Sequence, residues 1–141
     1  MIISTGTWTP VIQDGETFID KSQAYTSRGT YTRVGDHVFI EGSLAISSMG
    51  TLATNGYIGG LPIPAVVAAA NAAVGTISFG QGLNLNLTAS TPPAGITGYI
   101  IEGTSVIKLL EWDLTGGTSP LTIAEISSSS SLTFCGQYTA A

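Results

Sequence analysis

Charged residues are scarce in this sequence, and their scarcity excludes several classes of function. Asp, Glu, Lys and Arg make up 9% of the 141 residues, against about 25% in an average soluble protein. Lysine and arginine together number four and the net charge is −5, so the chain lacks the basic surface that nucleic-acid binding needs. No apolar run approaches the roughly 20 residues of a membrane-spanning helix. We therefore expect no nucleic-acid partner and no membrane insertion.

Cysteine and histidine occur once each, as Cys135 and His37. A single cysteine cannot form an intrachain disulfide, which fits synthesis in a reducing cytoplasm, and residues 1–4 lack the charged start of a secretory signal. Cys135 lies in an alternating strand pattern and is interpreted as a small buried apolar residue, because a catalytic thiol needs an activating histidine. His37, beside Asp36, is interpreted as a solvated turn residue; the alternative is a metal or proton-sensitive site formed by its copies in a symmetric assembly.

Glycine is abundant, with 18 residues, and the clearest pattern is a β-hairpin at residues 29–46. Gly35 and Asp36 are typical turn residues. Over residues 38–46 every second residue is apolar or glycine, which is the alternation of a half-buried strand, and Gly42 within it indicates a bulge or a close backbone approach.

A surface so poor in charge is weakly protected against association. We therefore expect much of it to be covered by identical partners.

The remaining segments indicate eight to ten short strands separated by turns, which is typical of a β-sandwich or jelly roll. Strand count does not separate these from an immunoglobulin-like sandwich, although the Cys–Trp–Cys spacing of the latter is absent. The Ala-rich residues 65–74 are predicted to be a loop or extended segment, with one or two helical turns as the alternative. Further strands are predicted at 7–12, 75–80, 83–88, 99–102, 105–112 and 132–138, and loops at 115–120 and 127–131.

Motifs for catalysis are absent from the sequence. One histidine gives little scope for a Ser-His-acid triad, and no phosphate-binding glycine loop, Cys-x-x-Cys or His-Glu-x-x-His pattern occurs. Glu111 and Asp113 alternate onto one strand face at about the 5–10 Å separation that glycoside hydrolysis uses, but such pairs are common on protein surfaces. We expect no enzymatic activity, no catalytic residue, no cofactor and no metal.

Aromatic residues provide the candidate ligand contacts. Trp8 is predicted to be an anchor in the core or in an interface. Trp112 ends a predicted strand and is followed by Asp113 in a predicted glycine-containing loop, where an indole can stack on a sugar ring and a carboxylate can accept hydrogen bonds from its hydroxyls. Core packing is the alternative role for Trp112. The predicted ligand-binding candidates are Trp112, Asp113 and, more weakly, Tyr57.

Four segments, in this order, resemble the C-terminal head domains of bacteriophage tail fibres and tailspikes. They are residues 6–10 (GTWTP), 29–38 (GTYTRVGDHV), 60–62 (GLP) and 131–138 (SLTFCGQY). The resemblance covers nearly the whole chain, apart from the Ala-rich residues 65–73, which do not fit the pattern. Each segment is short, and the specificity of the resemblance comes from their order.

The resemblance implies that residues 1–141 form a single C-terminal head domain of a longer fibre protein. Such domains are antiparallel β-sandwiches of jelly-roll type that assemble as homotrimers on an upstream fibre shaft. The implied function is that of a non-enzymatic tip, at the distal end of a tail fibre in the virion, which recognises bacterial surface polysaccharide or lipopolysaccharide during host adsorption. The alternatives are a non-catalytic trimerisation cap of a polysaccharide-depolymerase tailspike, the terminal domain of an active depolymerase, and a bacterial lectin.

Overall fold

The computed structural model describes residues 3–67, 73–88, 95–113 and 116–141, with only the backbone of residues 73 and 74. Within these ranges no helix is long and apolar enough to cross a membrane. A single turn of 3₁₀ helix spans Ile123–Glu125. The strands are β1 (Ile3–Trp8), β2 (Val11–Gln13), β3 (Ala24–Val34), β4 (His37–Ser48), β5 (Tyr57–Gly59), β6 (Ala73–Leu83), β7 (Gly95–Ile101), β8 (Ile107–Asp113), β9 (Gly117–Pro120) and β10 (Ser131–Thr139).

All strand pairs are antiparallel and belong to one strongly curled sheet, so the prediction of an all-β antiparallel fold is confirmed. The strand order is β1-β3-β4-β10-β6-β7-β8-β5-β2, and β9 pairs with β8. Strands β1 and β2 occupy opposite edges although only residues 9 and 10 separate them. Pro10 has no backbone N–H to donate to a ladder, which fits the break there. The curl brings the inward faces together, and the core lies between them.

The predicted hairpin is confirmed as β3 and β4. Gly35, in the turn, has a φ of +60°, a conformation that glycine adopts at little cost. The alternation in β4 is also confirmed, because Val38, Ile40, Leu44 and Ile46 are buried while the residues between them are exposed or only partly buried.

Aromatic rings cover glycines on the inward face of β1, β3, β4 and β10. Trp8 lies opposite Gly29, Gly29 opposite Gly42, and Gly42 opposite Phe134. A Cβ added at Gly29 would lie 2.5 Å from Trp8 Nε1, and one at Gly42 would lie 2.7 Å from Phe134 Cζ. The two rings meet edge to face with centroids 6.0 Å apart. The close approach predicted at Gly42 and the buried anchor predicted at Trp8 are therefore confirmed.

The core is aliphatic around these rings, and its polar exceptions are few. Tyr138 is buried and donates a hydrogen bond of 2.7 Å from its hydroxyl to the carbonyl of Ile63. Buried aliphatic side chains come from both halves of the curled sheet: Ile12, Val38, Ile40, Leu44, Ile46, Ile58, Ile77, Ile100, Ile107, Leu109, Leu121 and Leu132.

Three assignments from the sequence are wrong. The strand predicted over residues 7–12 is interrupted at residues 9 and 10, and its parts belong to β1 and β2 at opposite edges of the sheet. Residues 84–88 are not a strand: Asn84 has a φ of +58°, which ends the extended conformation after β6. The alternation there arises because Leu85 and Leu87 pack on the core from an irregular segment. Residues 117–120, predicted as a loop, form β9 along the outer side of β8. Half of the Ala-rich segment, residues 68–72, lies outside the described residues.

Candidate functional site

Strand β8 places Trp112 and Asp113 on opposite sides of the sheet. Both are inside the strand, so Asp113 does not lie in a loop as predicted. Because consecutive strand residues point to opposite faces, the exposed indole of Trp112 lies outward, whereas Asp113 shares its side with buried Glu111. The structure therefore does not bring Trp112 and Asp113 together as a pair.

Tyr57 and Trp112 do share a face. Tyr57 in β5 lies directly opposite Lys108 in β8, and Tyr99 in β7 lies opposite the same lysine from the other side. Directly opposed residues have Cβ atoms about 4.5–5.5 Å apart, so the three side chains form a row across three strands. Leu110 and Trp112 follow Lys108 at two-residue steps on the same face. We call this outward surface the β8 face: Tyr57, Tyr99, Lys108, Leu110 and Trp112.

The surroundings of Trp112 leave its ring accessible. The indole is 48% exposed, and its cross-strand neighbours are Gly95 and Thr118. A Cβ added at Gly95 would meet no atom of the described residues within 4 Å, so no described side chain fills the space beside Gly95 on the side of the ring toward β7. An aromatic ring with an open face beside a hydroxyl group can stack on a sugar ring and exchange hydrogen bonds with it.

A second outward surface covers the other half of the sheet. It forms a groove of about 750 Å³ across β1, β3, β4, β10 and β6, and Glu41 is the charged residue in its lining. We call this surface the hydroxyl face, because its two central rows of opposed side chains are mostly Thr and Ser: Thr5, Thr32, Phe39, Gln137 and Thr76 in one, and Thr7, Thr30, Glu41, Cys135 and Ser78 in the other.

The predicted burial of Cys135 is wrong, since its side chain is exposed on the hydroxyl face. Phe134 points into the core, so the alternation of β10 sends Cys135 outward. His37 is partly buried at the start of β4, with its ring 4.8 Å from that of Phe39 and its Nε2 3.0 Å from Gln137 Oε1. Among the described residues no three His, Cys, Asp or Glu side chains gather as metal ligands. A symmetric site built from copies of His37 stays a prediction.

The fold of this chain is similar to part of a protein of known structure. No protein-family model matches the sequence, and no curated protein matches it. The solved structure of the Dettilon tailspike protein (gp208) does match, over 97% of this chain, with a TM-score of 0.71 and 17% sequence identity. The fold of this chain recurs within a tailspike. The chain spans about a quarter of the tailspike's length, 24%, and the likeness at this identity concerns the fold.

A pair of carboxyl groups lies inside the sheet, behind the β8 face. Glu111 and Glu125 are buried, with 1% and 4% of their surface exposed, and the Glu111 side chain makes a hydrogen bond to that of Glu125. Glu125 Oε1 accepts hydrogen bonds from the backbone N–H and the hydroxyl of Thr122 at 3.1 and 2.8 Å. Its Oε2 accepts from the same two groups of Thr88 at 2.7 and 3.1 Å.

This network sets the charge state of the pair. Burial acts to raise the pKa of Glu125, but the hydrogen bonds from Glu111, Thr122 and Thr88 outweigh it and lower the pKa to about 2. Glu125 is therefore ionised at neutral pH and is the acceptor of the hydrogen bond from Glu111. The pair joins residues 84–88 to the 3₁₀ helix and has a structural role. Of the carboxyl groups of Glu111 and Asp113, whose spacing in sequence suits glycoside hydrolysis, that of Glu111 is thus buried and bonded in the interior.

Sequence reasoning missed four members of these sites: Lys108, Leu110, Tyr99 and Glu125. The outward alternation of Lys108, Leu110 and Trp112 is visible in the sequence and could have assigned them to one face. The sequence does not indicate which residues lie beside Lys108, because β5 and β7 become neighbours of β8 only in the folded sheet.

Proposed function

We propose that this chain is the non-enzymatic receptor-binding tip of a bacteriophage tail fibre or tailspike, and that it recognises bacterial surface polysaccharide or lipopolysaccharide during host adsorption. The observation that carries the proposal is the exposed indole of Trp112 on a sheet face that also holds two tyrosines and a lysine. The likeness in fold to a tailspike supports the viral setting. The site would act in the virion, at the distal end of the fibre.

The β8 face suits a saccharide because of the chemistry of its side chains. Indole and phenol rings present apolar surface to the C–H groups of a sugar, while tyrosine hydroxyls and the hydroxyl of Thr118 can exchange hydrogen bonds with sugar hydroxyls. Aromatic side chains with few rotatable bonds lose little entropy on binding. Asp113, which lies on the other side of the sheet from Trp112, is not part of this proposed contact.

The proposed assembly is a homotrimer of jelly-roll type at the end of an upstream fibre shaft, with residues 1–141 as its C-terminal head domain. The charged fraction of 9% and the groove in which Glu41 is the charged lining residue support coverage by identical chains, since such surfaces resist association poorly. Light scattering should then give three times the monomer mass of 14.4 kDa. A monodisperse monomer at micromolar concentration would contradict the trimer.

The experiment that tests the function replaces one exposed aromatic residue on each surface. Trp112→Ala should abolish binding to an array of purified bacterial polysaccharides and reduce adsorption to host cells, while the melting temperature changes little because the ring is half exposed. Phe39→Ala is the matched control, because Phe39 is 46% exposed on the hydroxyl face. Binding lost in Phe39→Ala and kept in Trp112→Ala would move the site to the hydroxyl face.

A second candidate is the non-catalytic trimerisation cap of a polysaccharide-depolymerase tailspike. The match of nearly the whole chain to a quarter of a tailspike chain favours it, because a short module of a long spike can serve assembly alone. A stable trimer that binds no member of the polysaccharide array would support the cap over the receptor-binding tip.

A further inference from the structure

We propose that the β8 face selects acidic saccharides, and that Lys108 binds the carboxylate or phosphate group of the sugar. This inference deepens the glycan recognition proposed above and rests on it. It names the class of glycan and adds Lys108 as the residue that determines specificity, with Tyr57 and Tyr99 as its flanking contacts.

The four cations of the chain differ in their partners. Lys21 forms an ion pair with Asp14 at 2.7 Å, and Arg33 Nε donates to the carbonyl of Gly35 at 2.8 Å. Arg28 is exposed at the rim of the hydroxyl face. Lys108 is only partly exposed, yet it makes no ion pair with any residue of the described ranges. A partly buried cation without a counter-charge is a natural contact for an anionic group from outside.

The two tyrosines shape the surroundings of that cation. Tyr57 and Tyr99 lie directly opposite Lys108 on the two neighbouring strands, so two phenol side chains and the lysine belong to one row of the β8 face. Both phenol groups are hydrogen-bond donors as well as acceptors. An anion that contacts the ammonium group can therefore also receive hydrogen bonds from the tyrosines, which is a better site than an isolated surface lysine.

The spacing along β8 indicates the length of the ligand. Lys108 and Trp112 are four residues apart on one strand face, a distance of about 13 Å at about 3.3 Å per residue. A monosaccharide is too small to reach both side chains, whereas an oligosaccharide laid along β8 can stack one ring on Trp112 and place an acidic group at Lys108. Leu110 between them offers an apolar floor without competing polar groups.

The charge of the chain favours this occupant over a second copy of the same face. Two β8 faces in contact would desolvate two lysines without a counter-charge, which is strongly unfavourable. The net charge of −5 does not prevent an anion from binding, because charges beyond about 8 Å are largely screened at physiological ionic strength. The local ammonium group then dominates the interaction.

The experiment measures binding of the full chain to an array of purified polysaccharides in three groups: uronic-acid-containing, phosphate-containing and neutral. Binders should belong to the acidic groups, and chemical reduction of the carboxyl groups in a uronic-acid binder should abolish the binding. Lys108→Gln should weaken binding about 10- to 100-fold, the range for a hydrogen bond to a charged group, and Lys108→Arg should keep most of it. Arg28→Gln makes the same change in net charge and should leave binding unaltered.

The outcomes separate the two proposals. Binding only to neutral polysaccharides, equal affinity for the carboxyl-reduced polymer, or unchanged affinity in Lys108→Gln would overturn the inference while the proposed glycan recognition stands. Absence of binding to all three groups would overturn both. The comparison of native with carboxyl-reduced polymer uses the unmodified protein, so it decides the question even if the lysine variant is unstable.

Discussion

Replacing Glu125 by glutamine should destabilise the protein, whereas the same replacement at Glu111 should not. Each carboxylate oxygen of Glu125 accepts two hydrogen bonds from a threonine, Oε1 from Thr122 and Oε2 from Thr88. A glutamine offers one oxygen, so its NH₂ group must face either the Thr122 donors or the Thr88 donors. Leaving buried donors unpaired costs about 1–3 kcal/mol each, and we expect a loss of about 2–4 kcal/mol in the free energy of unfolding at pH 7.

Glu111→Gln is the matched control because it replaces the donor. The amide NH₂ of glutamine can donate to Glu125 as the Glu111 carboxyl does. We therefore expect Glu111→Gln to leave the free energy of unfolding at pH 7 nearly unchanged.

The pH dependence follows from the lowered pKa of Glu125. Its folded value is about 2 and its ordinary value 4.5, so this carboxylate contributes stability above pH 4.5, and the contribution is lost as the pH falls toward 2. At about 1.4 kcal/mol per pH unit, the total is about 3 kcal/mol. Glu125→Gln should lack this acid-side loss.

Urea unfolding at fixed protein concentration, followed by circular dichroism at pH 3, 4.5, 7 and 8.5, measures these differences. Equal destabilisation by the two replacements at pH 7 would refute the assignment of donor and acceptor. A natural protein whose stability does not change between pH 4.5 and pH 3 would refute the role of the Glu125 charge.

Two further predictions concern the other half of the sheet. Gly29→Ala should lower the free energy of unfolding by about 1–3 kcal/mol, because its Cβ would lie 2.5 Å from the indole of Trp8. Gly80→Ala is the control and should be nearly neutral, because its Cβ would meet its nearest atom at 4.0 Å. Equal melting temperatures for the two variants would contradict the close packing. Cys135 is exposed on the hydroxyl face of the single chain, and the proposed trimer covers that face, so a thiol reagent should label Cys135 slowly in the native trimer and rapidly after dissociation. Rapid labelling of the intact trimer would contradict coverage of the hydroxyl face by identical chains.

The sequence predicted well wherever alternation within one strand decided the outcome. The buried series Val38, Ile40, Leu44 and Ile46 follows directly from periodicity, because one face of β4 meets the core. The same rule places Cys135 on the outward face of β10, and position in the strand outweighs the preference of cysteine for the interior. Residues 84–88 show that alternation does not always indicate a strand. It also arises when two leucines pack on the core from an irregular segment.

The candidate site could be predicted only in part. Trp112 and Tyr57 were chosen for their chemistry, and their common face depends on pairing between β5 and β8, strands that are separated in the sequence by β6 and β7. Glu111 and Glu125 meet because the 3₁₀ helix turns one carboxylate back toward β8. Neither contact leaves a local pattern in the sequence, because each results from long-range topology.

The position of β10 has a consequence for synthesis on the ribosome. β10 is the last strand along the chain, yet it lies between β4 and β6 in the middle of the sheet. Translation proceeds at about 5–20 residues per second, so β10 emerges from the ribosome on the order of ten seconds after β4. During that time the backbone groups of β4 and those of β6 are open to pairing with other nascent chains. Polysomes that hold several such chains close together would therefore favour either chaperone capture or early contact between copies. A ribosome that stalls before residue 131 would release a chain that cannot close its core.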